Sequence, residues 1–113
     1  FRRVLFRSIL GDSYKSKLIR FPGGSFGRKL KPFRDEMVKD GYHFVDWNAL
    51  DGDAEGTNIA PPKLFIRLKE TVATQSHVVI LMHDAYAKNT TVEILPQIIQ
   101  YLKVQGYTFD TLK

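Results

Sequence analysis

Val78-Val-Ile-Leu-Met-His-Asp84 is a run of five apolar residues that ends on an imidazole and a carboxylate. Such a run reads as a strand covered by helices on both faces, polar only where it leaves the core. Two other stretches have the same form. Leu18-Ile-Arg-Phe-Pro-Gly-Gly-Ser25 turns polar at Arg20, and Phe44-Val-Asp-Trp47 does so at Asp46. In a sheet of parallel strands the carboxyl ends open onto one crevice, where loops vary without disturbing the core. Arg20, Asp46 and His83 are therefore the candidate functional side chains.

The segments between these strands read as crossover helices. From about Leu30 to Asp40, Phe33, Met37 and Val38 fall on one helical face, and Gly41 supplies the stop, since a residue without Cβ turns left-handed at little cost. Tyr42 to Asp46 is the next strand, and a polar loop rich in Asp, Gly and Asn runs from there to Ala60. Pro61-Pro62 opens a second helix carrying Leu64, Phe65, Leu68 and Val72. His77 to Met82 is expected to be the most buried strand. Thr90-Thr-Val-Glu93 has the form of a capping box for a third helix carrying Ile94, Leu95, Ile98, Ile99 and Leu102. Pro96 within it is expected to shift or bend the helix start. Gly106-Tyr-Thr-Phe109 echoes Gly41-Tyr-His-Phe44, a helix stop followed by a short strand. The alternation predicts an α/β fold of parallel strands joined by right-handed crossovers.

With 113 residues, 43% of them hydrophobic, the chain holds one domain or part of one. Its formal charge of +5 owes three units to Arg2, Arg3 and Arg7, leaving 14 basic against 12 acidic residues. Lysines and carboxylates alternate along the helices, and no basic tract is interleaved with aromatics, which argues against nucleic acid as a partner. Cysteine is absent, so disulfides and thiolate metal sites are excluded. No apolar run approaches the roughly 20 residues that span a bilayer. Phe1 to Ser8 read as a non-native leader, so that residues 9–113 form the domain.

Arg20-Phe-Pro-Gly23, Asp46-Trp47 and Leu81-Met-His83, in this order, resemble the third, fourth and fifth motifs of the metal-dependent polysaccharide deacetylases of the NodB type, carbohydrate esterase family 4. The flanking tracts Trp47 to Ala54 and Thr91 to Ile99 are similar to its peptidoglycan and chitooligosaccharide branch, and the resemblance runs from about Ile9 to the end. It implies the C-terminal part of a distorted (β/α)7 barrel. It also implies hydrolysis of N-acetyl groups on a bacterial cell-wall or chitin-like polysaccharide outside the cell, with a divalent metal, usually zinc, polarising the acetyl carbonyl. The family's Asp-Asp pair and His-x-x-x-His are absent. His43, His77 and His83 are the only histidines, and their spacing suits no shared metal. This chain alone is therefore expected to hold neither metal nor activity.

By resemblance, His83 is the general acid that protonates the departing sugar nitrogen, a task suited to a group that gives and takes protons near neutrality. Asp46 fixes its tautomer, with an Asx turn as the alternative use of that residue. Arg20 orients the catalytic base supplied from elsewhere, the Gly23 amide faces the oxyanion, Trp47 forms an apolar wall of the substrate site and Leu81 lines the pocket for the acetyl methyl. Gly23 stands where many members carry an aromatic residue. His43 and His77 read as structural, and Asp51 and Asp53 as possible sugar contacts. Two other functions fit the residues: a carbohydrate-binding relative without turnover, and an unrelated flavodoxin-like or Rossmann-like domain.

Overall fold

A computed structural model describes residues 9–112, so the expected leader lies outside the described residues. The chain divides after Val45 into two compact units. In the first, β1 (Leu18–Ile19) pairs in parallel with β2 (His43–Phe44), with Leu18 opposite His43 and Ile19 opposite Phe44. The crossover between them contains a 3-10 turn (Arg28–Leu30) and α1 (Lys31–Lys39). Gly41, at φ 78°, ends α1 in a Schellman motif: its own amide donates to the Val38 carbonyl at 3.0 Å, and the Tyr42 amide donates to Met37 at 2.8 Å. The expected glycine stop is present.

The apolar face expected of α1 is not buried. Phe33 and Val38 are 60% and 59% exposed, and only Met37 is partly covered. A two-stranded sheet of two-residue strands is too small to cover a helix face. What apolar packing the unit has includes Phe21 edge-on to Phe44 at 5.8 Å and the Lys17 ammonium 4.2 Å above the Tyr42 ring.

In the second unit, β3 (Ala49–Leu50) pairs in parallel with β4 (Ile80–Leu81), Ala49 opposite Ile80 and Leu50 opposite Leu81. Between them run a 3-10 turn (Asp53–Glu55) and α2 (Pro61–Val72), and α3 (Asn89–Val104) follows. Two rows at four-residue spacing, Leu64, Leu68 and Val72 on α2 and Ile94, Ile98 and Leu102 on α3, meet with Ala49 in one core. Phe65 and Tyr101 close its flank edge-to-face at 5.5 Å. Leu95, expected on the same face, is 40% exposed because the buried row of α3 advances by four residues from Ile94 and leaves it outside.

β3 lies within the stretch expected to be a polar loop. Asn48 pins it: its amide nitrogen donates to the His77 carbonyl at 2.8 Å, its side-chain oxygen accepts the Val79 amide at 2.8 Å, and its backbone carbonyl accepts Gln75 Nε2 at 2.9 Å. The Thr71 hydroxyl, from α2, donates to the Leu50 carbonyl at 2.7 Å. Side chains thus extend a ladder only two residues long. β4 is half-buried, so the most buried positions lie on the helices rather than on this strand.

α3 runs through Pro96 and starts at Asn89, ahead of the expected capping box. The Lys88 side chain does not cap it; the first amide, that of Asn89, donates instead to Asn58 Oδ1 at 2.9 Å. Gly106 ends it in a second Schellman motif, with Gly106 and Tyr107 amides donating to Lys103 and Leu102, each at 3.0 Å. Tyr107 to Phe109 do not form the expected strand. Tyr107 instead packs against the core and donates its hydroxyl to the Gln75 carbonyl.

Each ladder has only two strands among the described residues, so each leaves unpaired backbone at its edges. The chain is expected to self-associate with rising concentration. Light scattering coupled to size exclusion checks this; a monomer at every concentration is the contrary result.

Candidate functional site

The parallel register of β3 and β4 builds the site. Because Leu50 faces Leu81, the residues after each strand run side by side, and Asp53, three beyond Leu50, comes level with His83, two beyond Leu81. Gly52 makes the turn between Leu50 and Asp53 at φ 80°, and a Cβ on it would come 3.1 Å from Arg67 Cγ, so both conformation and space call for glycine. The Asp53 carboxylate then clamps His83 at two points. Its Oδ1 lies 2.7 Å from the ring Nδ1, and its Oδ2 accepts the His83 amide at 2.7 Å. The Thr91 hydroxyl, in the first turn of α3, donates to the same Oδ2 at 2.9 Å.

Asp53 is 3% exposed, whereas the His83 side chain is 32% exposed. The carboxylate is shut away and the imidazole can be reached. Burial by itself pushes the Asp53 carboxyl up. Hydrogen bonds from the His83 ring and amide and from Thr91, together with the His83 charge, outweigh it and hold the group below the ordinary carboxylate range. An ionised Asp53 accepts a hydrogen bond from Nδ1–H, which leaves Nε2 as the nitrogen that exchanges protons with a ligand. The arrangement suits general acid or base work by an oriented imidazole.

Lys88 secures the loop. Its ammonium donates to the carbonyls of Asp53 and Gly56, bridging both ends of the 3-10 turn. Charge-assisted bonds of this kind are worth about 1.5–3 kcal/mol each. Lys88→Met is expected to cost about 2 kcal/mol in urea unfolding, whereas no change would mean the ammonium is replaced by water.

The sequence reading put Asp46 on the imidazole, but the carboxylate the structure holds against Nδ1 is that of Asp53. Asp46 and Trp47, both half-buried, open the second unit, and Leu81 is half-buried in β4. Arg20 and Gly23 belong to the first unit. Arg20 is exposed, and Gly23, at φ 75°, is the third residue of a turn closed by the Gly24 amide on the Phe21 carbonyl at 2.9 Å. That φ, with Pro22 before it, explains the glycine where an aromatic residue is common. His43 lies in β2, and the His77 ring contacts only the neighbouring Ser76 hydroxyl, at 3.2 Å, among the bonds described. Asp53 was legible only as an acid in a glycine-rich loop. The signal that could have singled it out was its distance from Leu50 once β3 was recognised.

Among the described residues, no three His, Asp or Glu side chains converge to hold a metal ion. The described residues therefore do not fit one. No described helix is long and apolar enough to cross a membrane.

Parallel βα units with a carboxylate-held imidazole at the carboxyl end of a strand define the class, an α/β domain with a polar site at a strand terminus. No protein-family profile matches the chain. It is similar to YheN of Bacillus subtilis (strain 168), named as a polysaccharide deacetylase, with 33% identity over 103 residues, 88% of this chain and 36% of YheN. A 34-residue stretch is 56% identical to a bifunctional xylanase/deacetylase of Pseudobutyrivibrio xylanivorans. Among solved structures, a Streptococcus mutans CE4 esterase aligns over 95% of this chain and 48% of its own, at TM-score 0.80 and 34% identity. The catalytic domain of a peptidoglycan N-acetylglucosamine deacetylase from Eubacterium rectale aligns over 97% and 52%, at TM-score 0.83 and 27% identity.

In sequence and in fold the chain resembles the polysaccharide deacetylases and CE4 esterases, and its fold is that of the C-terminal part of their (β/α)7 barrel. It spans about a third of the length of YheN and about half that of the solved domains.

Proposed function

We propose that these residues supply the acid half of a metal-dependent deacetylase that removes N-acetyl groups from a cell-wall or chitin-like polysaccharide of the bacterial envelope. The observation that carries the reading is the imidazole of His83, partly exposed and held through Nδ1 by buried Asp53. When the amide C–N bond of the substrate breaks, the sugar nitrogen needs a proton, and the protonated ring gives it from Nε2. Asp53 balances the charge on the ring before that transfer and fixes its orientation after it. Arg20 orients the catalytic base, the Gly23 amide faces the oxyanion, and Trp47 and Leu81 shape the acetyl pocket. The catalytic base and a set of ligands for a zinc-type metal are not found among the described residues.

The test is a graft in which residues 9–112 replace the aligned half of the Eubacterium rectale catalytic domain. The graft is expected to release acetate from N-acetylglucosamine oligomers in the presence of zinc, while the chain alone releases none. A folded graft that binds the oligomers without turnover would favour a carbohydrate-binding relative instead. The flavodoxin-like alternative draws no support from the solved structures that align.

A further inference from the structure

The loop that carries Asp53 holds a second carboxyl that the chemistry above does not use. Asp51 is 1% exposed, and its Oδ1 accepts the Asp53 amide at 3.1 Å. Its Oδ2 is fully buried and has no hydrogen-bond partner, the one such side-chain atom among the described residues. Asp53, two residues on, receives three donors from His83 and Thr91. An unmet buried oxygen calls for an explanation.

The charged groups around Asp51 do not supply a partner. On α2, Arg67 lies 3.9 Å from Glu55 and 3.6 Å from Glu70, and Lys63 lines the same hollow as Asp51 without bonding to it. Lys88, from the loop before α3, is committed to two carbonyls, and His83, at the end of β4, faces Asp53. Two neighbouring carboxyls closed off from water are costly to ionise together, and the charge settles on the one with more donors.

We propose that Asp51 and Asp53 form a carboxyl pair in which Asp51 is the proton-accepting member, a positioning residue that lets Asp53 stay ionised against His83 as pH falls. Burial, then the charge of Asp53, pushes the Asp51 carboxyl up, and the bond from the Asp53 amide offsets this only in part. The two groups act on stability with opposite signs. Asp53, held low, contributes stability above the ordinary carboxylate range that is lost as pH falls through its folded value. Asp51, held high, costs stability as pH rises through its own. Between the two, Asp51 is neutral and the His83 clamp is intact. Its bearing on catalysis rests on His83 being the acid, but the order of titration does not.

The test is carbon-detected NMR of the full chain, following the γ-carboxyl signals of Asp51 and Asp53 and the Nδ1–H signal of His83 from neutral to acid pH. The Asp51 signal is expected to move first, with the His83 signal persisting until Asp53 titrates. Asp51→Asn is expected to delete the first step and keep the His83 signal. Asp53 titrating first, both moving together, or loss of the His83 signal in Asp51→Asn at neutral pH would each overturn the proposal. If the variant does not fold, the wild-type order alone decides. An inactive graft combined with the expected order would sink His83 as the acid and leave the pair standing; an active graft with the reverse order would do the opposite.

Discussion

Asp53→Ala is expected to lower the unfolding free energy by about 3–5 kcal/mol, measured by urea denaturation at neutral pH. The size follows from what the carboxylate serves. Without it the His83 amide, the His83 Nδ1–H and the Thr91 hydroxyl lose their acceptor together, in a place that is 3% exposed at Asp53 and 5% at Thr91. A buried donor left unmet costs about 1–3 kcal/mol, and water has little access to take over. Asp53→Asn is the sharper variant, since shape is kept and only one acceptor is lost. Its amide meets either the His83 backbone or the ring with a donor, so the ring must turn or change tautomer. A loss near 1 kcal/mol or less for Asp53→Ala would mean that the loop closes over without it.

His83→Ala in the graft is expected to reduce kcat for deacetylation by about 100- to 10000-fold, with KM nearly unchanged. The proton that the leaving nitrogen needs must then come from water, which is not held in place beside it. Asp53→Asn should show part of the same loss, and Asp46→Asn in parallel tests whether the other carboxylate has any share in it. Activity unchanged by His83→Ala would remove the acid assignment altogether.

Much of this was legible in the sequence for a definite reason. Leu64, Leu68 and Val72, like Ile94, Ile98 and Leu102, repeat every four residues, so the helices that bury them declare themselves. Gly41 and Gly106 stop their helices where glycine alone turns left-handed cheaply. Phe33 and Val38 also keep a helical spacing and yet stay exposed, because spacing tells which residues share a face and not whether a large enough surface lies opposite. β3 escaped because two residues carry no periodicity, and its pairing is enforced by Asn48 from outside the strand. With β3 unseen, Asp53 had no register to place it beside His83. Motif order pointed to His83 directly, but its partner depended on a ladder only the structure reveals. Thr90-Thr-Val-Glu93 was read as a capping box opening at Thr90, whereas α3 already begins at Asn89, whose amide is met by Asn58 from the loop before α2.

Asn48 has a consequence for the ageing of the protein. Asparagine deamidates when the next residue's amide nitrogen attacks the side-chain carbonyl carbon to close a five-membered ring. Here that nitrogen, on Ala49, donates to the Val79 carbonyl at 3.2 Å, while both ends of the Asn48 side-chain amide are held by the chain at His77 and Val79. Ring closure must wait until β3 leaves β4. The rate at which Asn48 turns to aspartate in stored protein is therefore a clock for the opening of that ladder.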